Sequence, residues 1–291
     1  MKYWQLRQRQ SLSLEDKIQL SLTRIRAWYE YWDGNVYISF SGGKDSTVLL
    51  HLVRSLYPNV TAVFSDTGLE FPEIRQFVKT IDNVIWIKPK HSFKDIIEKY
   101  GYPIISKENA AKLFEIRNTK STKLFNIRLY GNEKNQGKLP KKWRFLIDAP
   151  FKISSQCCYH LKKSPLAKYE KQSSNKPFIG TMTEDSSLRK TAYLIIGCNA
   201  FESKKPKSMP IAFWKEEDIW NYIKLNNLPF SSIYNMGYKN TGCVFCAFGL
   251  HLQKEPNKFQ LLKKTHPSLW NYCMYKLNFK EILDYCKFKY E

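Results

Sequence analysis

Apolar residues return along this chain in two alternating rhythms. Between residues 15 and 31, Ile18, Leu22, Ile25 and Trp28 recur every three or four positions, the period of a helix that buries one face. Val36 to Phe40 is a short, mostly apolar run and reads as a strand, after which Leu49, Leu52, Val53 and Leu56 restore the helical period. A second strand is expected at Val60 to Phe64, a helix from Phe71, and a third strand at Val84 to Ile87. Strands alternating with helices predict an α/β domain on a parallel sheet, with its core βαβ units over about residues 34–100. From 112 to about 176 the pattern degrades into a lysine-rich stretch containing YGNEKNQGKLPKKW. It resumes with a strand at Pro177 to Gly180 and a helix around Glu216 to Leu225. The last 35 residues read as helical, with Phe259, Leu262, Leu269, Trp270 and Tyr272 as packing positions.

The first strand-to-helix junction carries the chemistry. Val36 to Phe40 runs straight into Ser41-Gly42-Gly43-Lys44-Asp45-Ser46. Two glycines permit a tight turn that points successive N–H groups into one concavity, and the helix beginning near Ser46 adds its free amides and positive end. Lys44 contributes a mobile charge, Ser41 and Ser46 hydroxyls, and Asp45 a carboxylate for Mg²⁺. These groups make a cradle for a phosphate chain. The spacing is neither GxxxxGK[ST] nor GxGxxG. In a parallel sheet the second strand ends beside the first, so Asp66 and Thr67 are expected on the ribose or base.

The segments SGGKDST and VFSDTGLEFPE (63–73) resemble the phosphoadenosine phosphosulfate (PAPS) reductase family of PP-loop ATP pyrophosphatases. GTMTEDSSLRK (180–190), PIAFWKEEDIWNYI (210–223) and LPFSSIYNMGYKNTGC (228–243) extend the likeness, so that it covers about residues 15 to 250. It implies an adenine nucleotide alpha hydrolase-like parallel sheet with helices on both faces. Within 180–190 the Glu-Ser-x-x-Arg-like segment becomes Asp185-Ser186-Ser187-Leu188-Arg189, and the resemblance makes Arg189 the fork that grips phosphate or sulfate. Gly180 matches the family's glycine, whereas Met182 stands where the reductases commonly carry arginine.

The expected organisation is a helical segment over 1–33, a PP-loop domain over 34–250 with a basic insertion at about 112–176, and a helical extension over 251–291. No 18-residue apolar run is present and the first ten residues are polar and basic, which fits a cytoplasmic protein without a membrane span. The net charge is +21, and the insertion alone holds 16 Lys or Arg against four Asp or Glu. Such a field attracts a polyanion, which makes nucleic acid (DNA or tRNA) the expected partner. The bland alternative is a lysine-rich proteome in which lysine is the commonest solvated residue.

Seven cysteines, an odd number with one adjacent pair and one CxxC, suit metal or redox chemistry better than a disulfide scaffold. Cys157 and Cys158 are followed 85 residues later by Cys243 and Cys246, giving four thiolates, enough to close a metal site. A [4Fe–4S] cluster relieves the crowding of neighbouring thiolates better than one zinc ion; zinc and unmetallated thiols are the alternatives. The resemblance points to the cluster, since adenylyl-sulfate reductases carry CC and CxxC at nearly this separation. Tyr159, Val244, Phe245 and Phe248 are expected to shield it, and His160, Lys162 and Lys163 to add positive charge or merely to line a solvated helix. Cys198, Cys273 and Cys286 lack ligand spacing and read as buried apolar cysteines, and His51 as structural or surface.

Sulfonucleotide reductases end in a Glu-Cys-Gly-Ile/Leu-His segment whose thiolate attacks sulfur. Here Cys286 sits in DYCKF, with no glycine or histidine after it. The resemblance therefore implies the more general chemistry, with Lys44, Asp45 and Arg189 cutting ATP between the α- and β-phosphates to adenylate a nucleic acid for sulfur insertion. A cysteine desulfurase would be the sulfur donor, beside other modification-system proteins, as in DNA phosphorothioation. The alternatives are an adenylyl-sulfate or PAPS reductase, and a non-catalytic nucleic-acid-binding protein on the same fold.

Overall fold

The computed structural model describes all 291 residues, Met1–Glu291. In chain order the first elements are α1 (Tyr3–Gln10), α2 (Leu14–Tyr31), β1 (Val36–Phe40), α3 (Lys44–Leu56), β2 (Ala62–Ser65), α4 (Pro72–Lys79) and β3 (Val84–Ile87). There follow α5 (Phe93–Tyr100), β4 (Ile104–Ile105), α6 (Lys107–Asn118), α7 (Thr122–Tyr130), the single turn α8 (Gln156–Cys158), α9 (Ser164–Ser173) and β5 (Lys176–Ile179). The chain closes with α10 (Ser187–Ile196), β6 (Asn199–Ala200), β7 (Lys207–Ser208), α11 (Glu216–Leu225), β8 (Ala247–Phe248), α12 (Lys258–Thr265), α13 (Pro267–Asn271) and α14 (Phe279–Tyr285).

These elements form two compact units whose segments interleave: 1–66, 71–88 and 166–234 make the first, and 67–70, 89–165 and 235–291 the second. The first unit is built on a six-stranded sheet of order β3-β2-β1-β5-β7-β6, parallel except for the last pair. Ile38 faces Ala62 on one side and Phe178 on the other, so β1 is the point at which strand order reverses. Ligands of open α/β sheets bind beyond the carboxyl end of such a strand. Alternate side chains of β1 go to opposite faces. Tyr37 meets Tyr169 of α9 with ring centroids 5.1 Å apart, and Phe40 meets Phe77 of α4 at 6.5 Å, so helices cover both faces. Trp28 of α2 lies fully buried against Phe178, the outcome its helical spacing predicts.

The second unit pairs β4 with β8 in parallel, Ile104 opposite Ala247, and surrounds them with helices. Phe93, Phe245, Phe259 and Phe279 form its aromatic core, with centroid separations of 6.1–6.3 Å. The stretch with degraded pattern contains α7, which buries none of its residues, and a 3-10 helix at Lys141–Asp148 that buries Trp143 and Leu146. Among the expected packing positions Phe259, Leu262 and Trp270 are buried, but Tyr272 is 45% exposed because a π-helical turn at Tyr272–Lys276 rotates it outward.

Candidate active site and thiol centre

The loop after β1 needs its first glycine. Gly42 has φ +71°, and a Cβ there would stand 2.7 Å from Val78 and 2.9 Å from Ile74 of α4. Gly43 caps α3, its carbonyl accepting from Ser46 Oγ at 2.9 Å, Thr47 N at 3.0 Å and Thr47 Oγ1 at 3.1 Å. Ser41 and Ser46 join through their hydroxyls at 3.0 Å, and the Ser41 N–H donates to Ser46 Oγ at 3.2 Å. The two serines thus shape the loop. Gly180, at the end of β5, completes the packing, since a Cβ there would come within 3.1 Å of the Asp45 carbonyl and Ser46 Cα.

Lys44 is 2% exposed, with Nζ 3.3 Å from Asp45 Oδ1 and 3.6 Å from Glu216 Oε1. Burial alone would lower its pKa, but Asp45, Tyr234 and Glu216 hold it above the ordinary lysine value, so the charge is retained. Its backbone N–H donates to the Tyr234 hydroxyl at 2.8 Å. Burial pushes the Asp45 carboxyl up; Lys44 offsets part of this, and the nearby Asp185 and Glu216 carboxylates add to the rise. Asp45 Oδ1 is buried, with the Lys44 ammonium 3.3 Å away and the Asp185 and Glu216 carboxylates near enough to raise its pKa. A carboxylate so placed has the chemistry of a Mg²⁺ ligand.

Asp185 accepts from the Met182 N–H at 3.1 Å and from the Arg189 guanidinium. Arg189 is half exposed and, with Thr181 and Lys207, lines a cavity of about 160 Å³ at the end of β5. Asp66, at the end of β2, is buried and paired to Arg75 at 2.9 Å. Thr67 belongs to the other unit, where its hydroxyl donates to Glu70 at 2.8 Å. Lys44, Asp45, Asp185, Arg189 and Glu216 thus stand in one unit around the end of β1. Glu216 and Tyr234 lie within segments that carry the family resemblance but had no role assigned there; each becomes legible only when α11 and the turn after it are brought to the loop.

In the second unit α8 continues into a π-turn, Tyr159–Lys163, and the CxxC immediately precedes β8. The Val244 N–H donates to Leu69 O at 2.7 Å and the Cys246 N–H to Cys243 O at 3.1 Å, folding a tight knuckle. Cys157, Cys158, Cys243 and Cys246 are all free thiols, and each pair lies within the electrostatic reach of the other. The hydrogen bond from Cys157, helped by Lys107 and Lys162, lowers the pKa of Cys158, while Cys157 is driven up by that same bond and by burial. Lys162 is raised chiefly by Cys243, against its burial, and burial lowers Lys258, whose ammonium donates to the Cys243 carbonyl. Lys258 and Lys107 carried no signal in the sequence as neighbours of the thiols. No group of three or more His, Cys, Asp and Glu side chains stands close enough together to hold one metal ion, and the four thiols, in two pairs, are chemically able to take either iron–sulfur or zinc. Val244 and Phe245 are buried beside the knuckle as expected of a shield, whereas Tyr159 is 54% exposed because the π-turn carries it outward. Cys198, Cys273 and Cys286 are buried, and burial pushes Cys286 up to about 12.

The family model for the phosphoadenosine phosphosulfate reductase domain matches residues 35–104 and 83–248. The chain belongs to that family. This places it among enzymes that handle adenine nucleotides and sulfur. The chain is 26% identical over 237 residues to an adenosine 5'-phosphosulfate reductase of Bacillus cereus, covering 81% of this chain and 83% of that one. It is also 26% identical over 259 residues to an uncharacterized protein of Methanocaldococcus jannaschii, where 86% of this chain spans half of the longer relative. Among solved structures, the PAPS reductase of Candida auris in complex with phosphate superposes with a TM-score of 0.45 at 18% identity, over 80% of this chain and 96% of that one. No helix is long and apolar enough to cross a membrane.

Proposed function

We propose that this family member uses ATP to activate a nucleic acid for sulfur insertion. The carrying observation is the uneven charge. The unit that holds the four thiols has 26 Lys and Arg against 11 Asp and Glu, a net +15 of the chain's +21. A small sulfonucleotide needs a handful of cations; an excess spread over a whole unit suits a polyanion. The buried, protonated Cys286 supports the same reading, since a sulfonucleotide reductase needs a reactive thiolate near its C-terminus.

In this reading the Lys44 ammonium holds the β- and γ-phosphates, Asp45 would hold Mg²⁺, and Arg189 grips an acceptor phosphate. An oxygen of the nucleic acid attacks the α-phosphorus, the bond to the β-phosphate oxygen breaks, and pyrophosphate leaves with the bonding electrons. Lys44 faces the charge that develops on that leaving group. A sulfur nucleophile, supplied by a desulfurase, then attacks the adenylated centre, and AMP leaves with the original oxygen. Cys157, Cys158, Cys243 and Cys246 would hold a [4Fe–4S] cluster, which supplies one-electron chemistry when bound. Lys107, Lys162 and Lys258 lie close enough to the thiols to balance their negative charge.

The likeness to adenosine 5'-phosphosulfate reductase favours a second reading, reduction of that sulfonucleotide. Anaerobic incubation with labelled ATP and DNA, tRNA or sulfate separates the two. Pyrophosphate release and AMP transfer to nucleic acid support activation; thioredoxin-dependent sulfite release from adenylyl sulfate, with no such transfer, sinks it.

A further inference from the structure

A cavity of about 590 Å³ in the second unit is lined by Cys286 but by none of the four paired thiols, and its walls are aromatic. Trp143 and Phe145 come from the 3-10 helix Lys141–Asp148, His251 from the turn after β8, and Tyr285 and Phe288 from the end of α14 and the segment following it. His251 lies flat against Phe288, centroids 5.6 Å apart and planes 20° from parallel, and Trp143 stands edge-on to both. At the mouth, Phe145 and Tyr285 are stacked at 6.0 Å yet remain 45% and 41% exposed, so two broad aromatic faces meet solvent.

The polar groups are as specific as the rings. His251 Nδ1 is buried with no hydrogen-bond partner, although a buried polar atom normally finds one. Burial and Lys142 hold this imidazole below its ordinary pKa, so it stays neutral and can donate or accept at neutral pH. Lys142 lies over the Trp143 ring at 5.2 Å, and Lys287 and Lys289 line the cavity. The one lining carboxylate, Glu255, is bonded to Lys289 at 2.5 Å, which leaves the rim positive.

Stacking faces, an unsatisfied ring nitrogen and a basic rim match one chemistry: a planar heterocycle with hydrogen-bonding edges attached to phosphate. We propose that this cavity receives one unstacked nucleobase of a single-stranded nucleic acid, with its flanking phosphates on Lys142, Lys287 and Lys289. The volume is in the range of sites that enclose small ligands, about 300–1,000 Å³, and base–aromatic stacking is the usual sequence-tolerant grip on a single strand. The inference rests on the nucleic-acid reading above and names a part of the surface that reading does not assign.

The test uses the full chain and a 12-nucleotide single strand carrying one 2-aminopurine, beside the free 2-aminopurine nucleoside monophosphate. Binding of the strand should quench the probe, and Phe145→Ala with Tyr285→Ala should weaken it at least tenfold while leaving ATP binding unchanged. Phe145→Leu with Tyr285→Leu, which keeps apolar cover but removes the ring faces, should weaken it comparably and guards against unfolding of the alanine variant. Strand binding that neither double variant changes overturns the cavity proposal and leaves the nucleic-acid reading standing. Quenching of the monophosphate as strong as that of the strand overturns the strand as occupant in favour of a free nucleotide. If no strand binds at all, both readings fall.

Discussion

The Lys17 ammonium and the Asp218 carboxylate form a buried, two-oxygen ion pair, 2.7 and 2.8 Å, that ties α2 to the first turn of α11. Asp218 also accepts from the Lys215 N–H at 2.7 Å, so one carboxylate both caps α11 and anchors it. That anchor fixes Glu216, two residues earlier, at 3.6 Å from Lys44.

Replacing Lys17 by Met should therefore unfold more than it saves. It leaves a buried carboxylate without its counter-charge, and such losses run to about 3–5 kcal/mol. The expected outcome is a lower urea midpoint with an unchanged m-value, and poorer ATP binding because Glu216 is released.

In the first turn of α3, Lys44→Ala and Asp45→Ala should each abolish most ATP-dependent pyrophosphate release. Loss of one contact to developing charge costs roughly 2.7–4 kcal/mol, or about a hundred- to a thousandfold in rate. Far-UV circular dichroism should be unchanged. Wild-type turnover in both variants would show that these side chains do not serve the reaction.

Protein purified without oxygen should be brown and contain about four irons and four sulfides per chain. Changing any one of Cys157, Cys158, Cys243 or Cys246 to Ser should remove the colour and lower the melting temperature, because metal binding and folding are coupled. Stoichiometric zinc without sulfide counts against the cluster.

Binding to single-stranded DNA or tRNA should fall steeply with salt, each neutralised phosphate adding roughly 0.7 to 0.9 to the log–log slope. Charge reversal at Lys120, Lys123 and Lys134, which lie in the second unit, should flatten that slope and leave ATP affinity unchanged. A salt-independent affinity would mean that the charge is compositional.

His51 gives a pH prediction. It lies in α3 and faces α11, with Nδ1 2.8 Å from the Tyr222 hydroxyl, and burial holds its pKa below the ordinary 6.5. The unfolded chain therefore takes up this proton first as pH falls. The stability of the neutral histidine is present in full above about pH 6.5 and declines below it, by no more than about 1.4 kcal/mol per pH unit. His51→Gln, which keeps a hydrogen-bonding group but cannot charge, should show a shallower acid slope in denaturant melts from pH 7 to 5.

What the sequence made legible is local and periodic. The helix boundaries around Ile18–Trp28 and Glu216–Leu225, the strand Val84–Ile87 and the Ser41–Ser46 loop were readable because each rests on contiguous residues with one dominant pattern. The two-residue strands β6 and β7 were not, since two residues carry no alternation. α7 hid in the basic stretch because a helix with no buried face has no apolar stripe to reveal it. Glu216, Tyr234 and Lys258 were missed for a different reason: their meaning comes from partners 15 to 190 residues away. The aromatic cavity joins Trp143 to Phe288, and no spacing rule spans that gap.

The strand order also bears on how the chain is made. β1 leaves the ribosome shortly before β2, its parallel neighbour, but its other neighbour, β5, begins 136 residues after β1 ends. At a synthesis rate of roughly 5–20 residues per second that interval lasts about 7 to 27 s. For all of it the middle strand of the finished sheet is an edge, presenting Val36, Ile38 and Phe40 and one row of unpaired amides and carbonyls. A nascent chain in this condition is a natural client for a chaperone, and its yield on expression should depend more on elongation speed than on the stability of the folded protein.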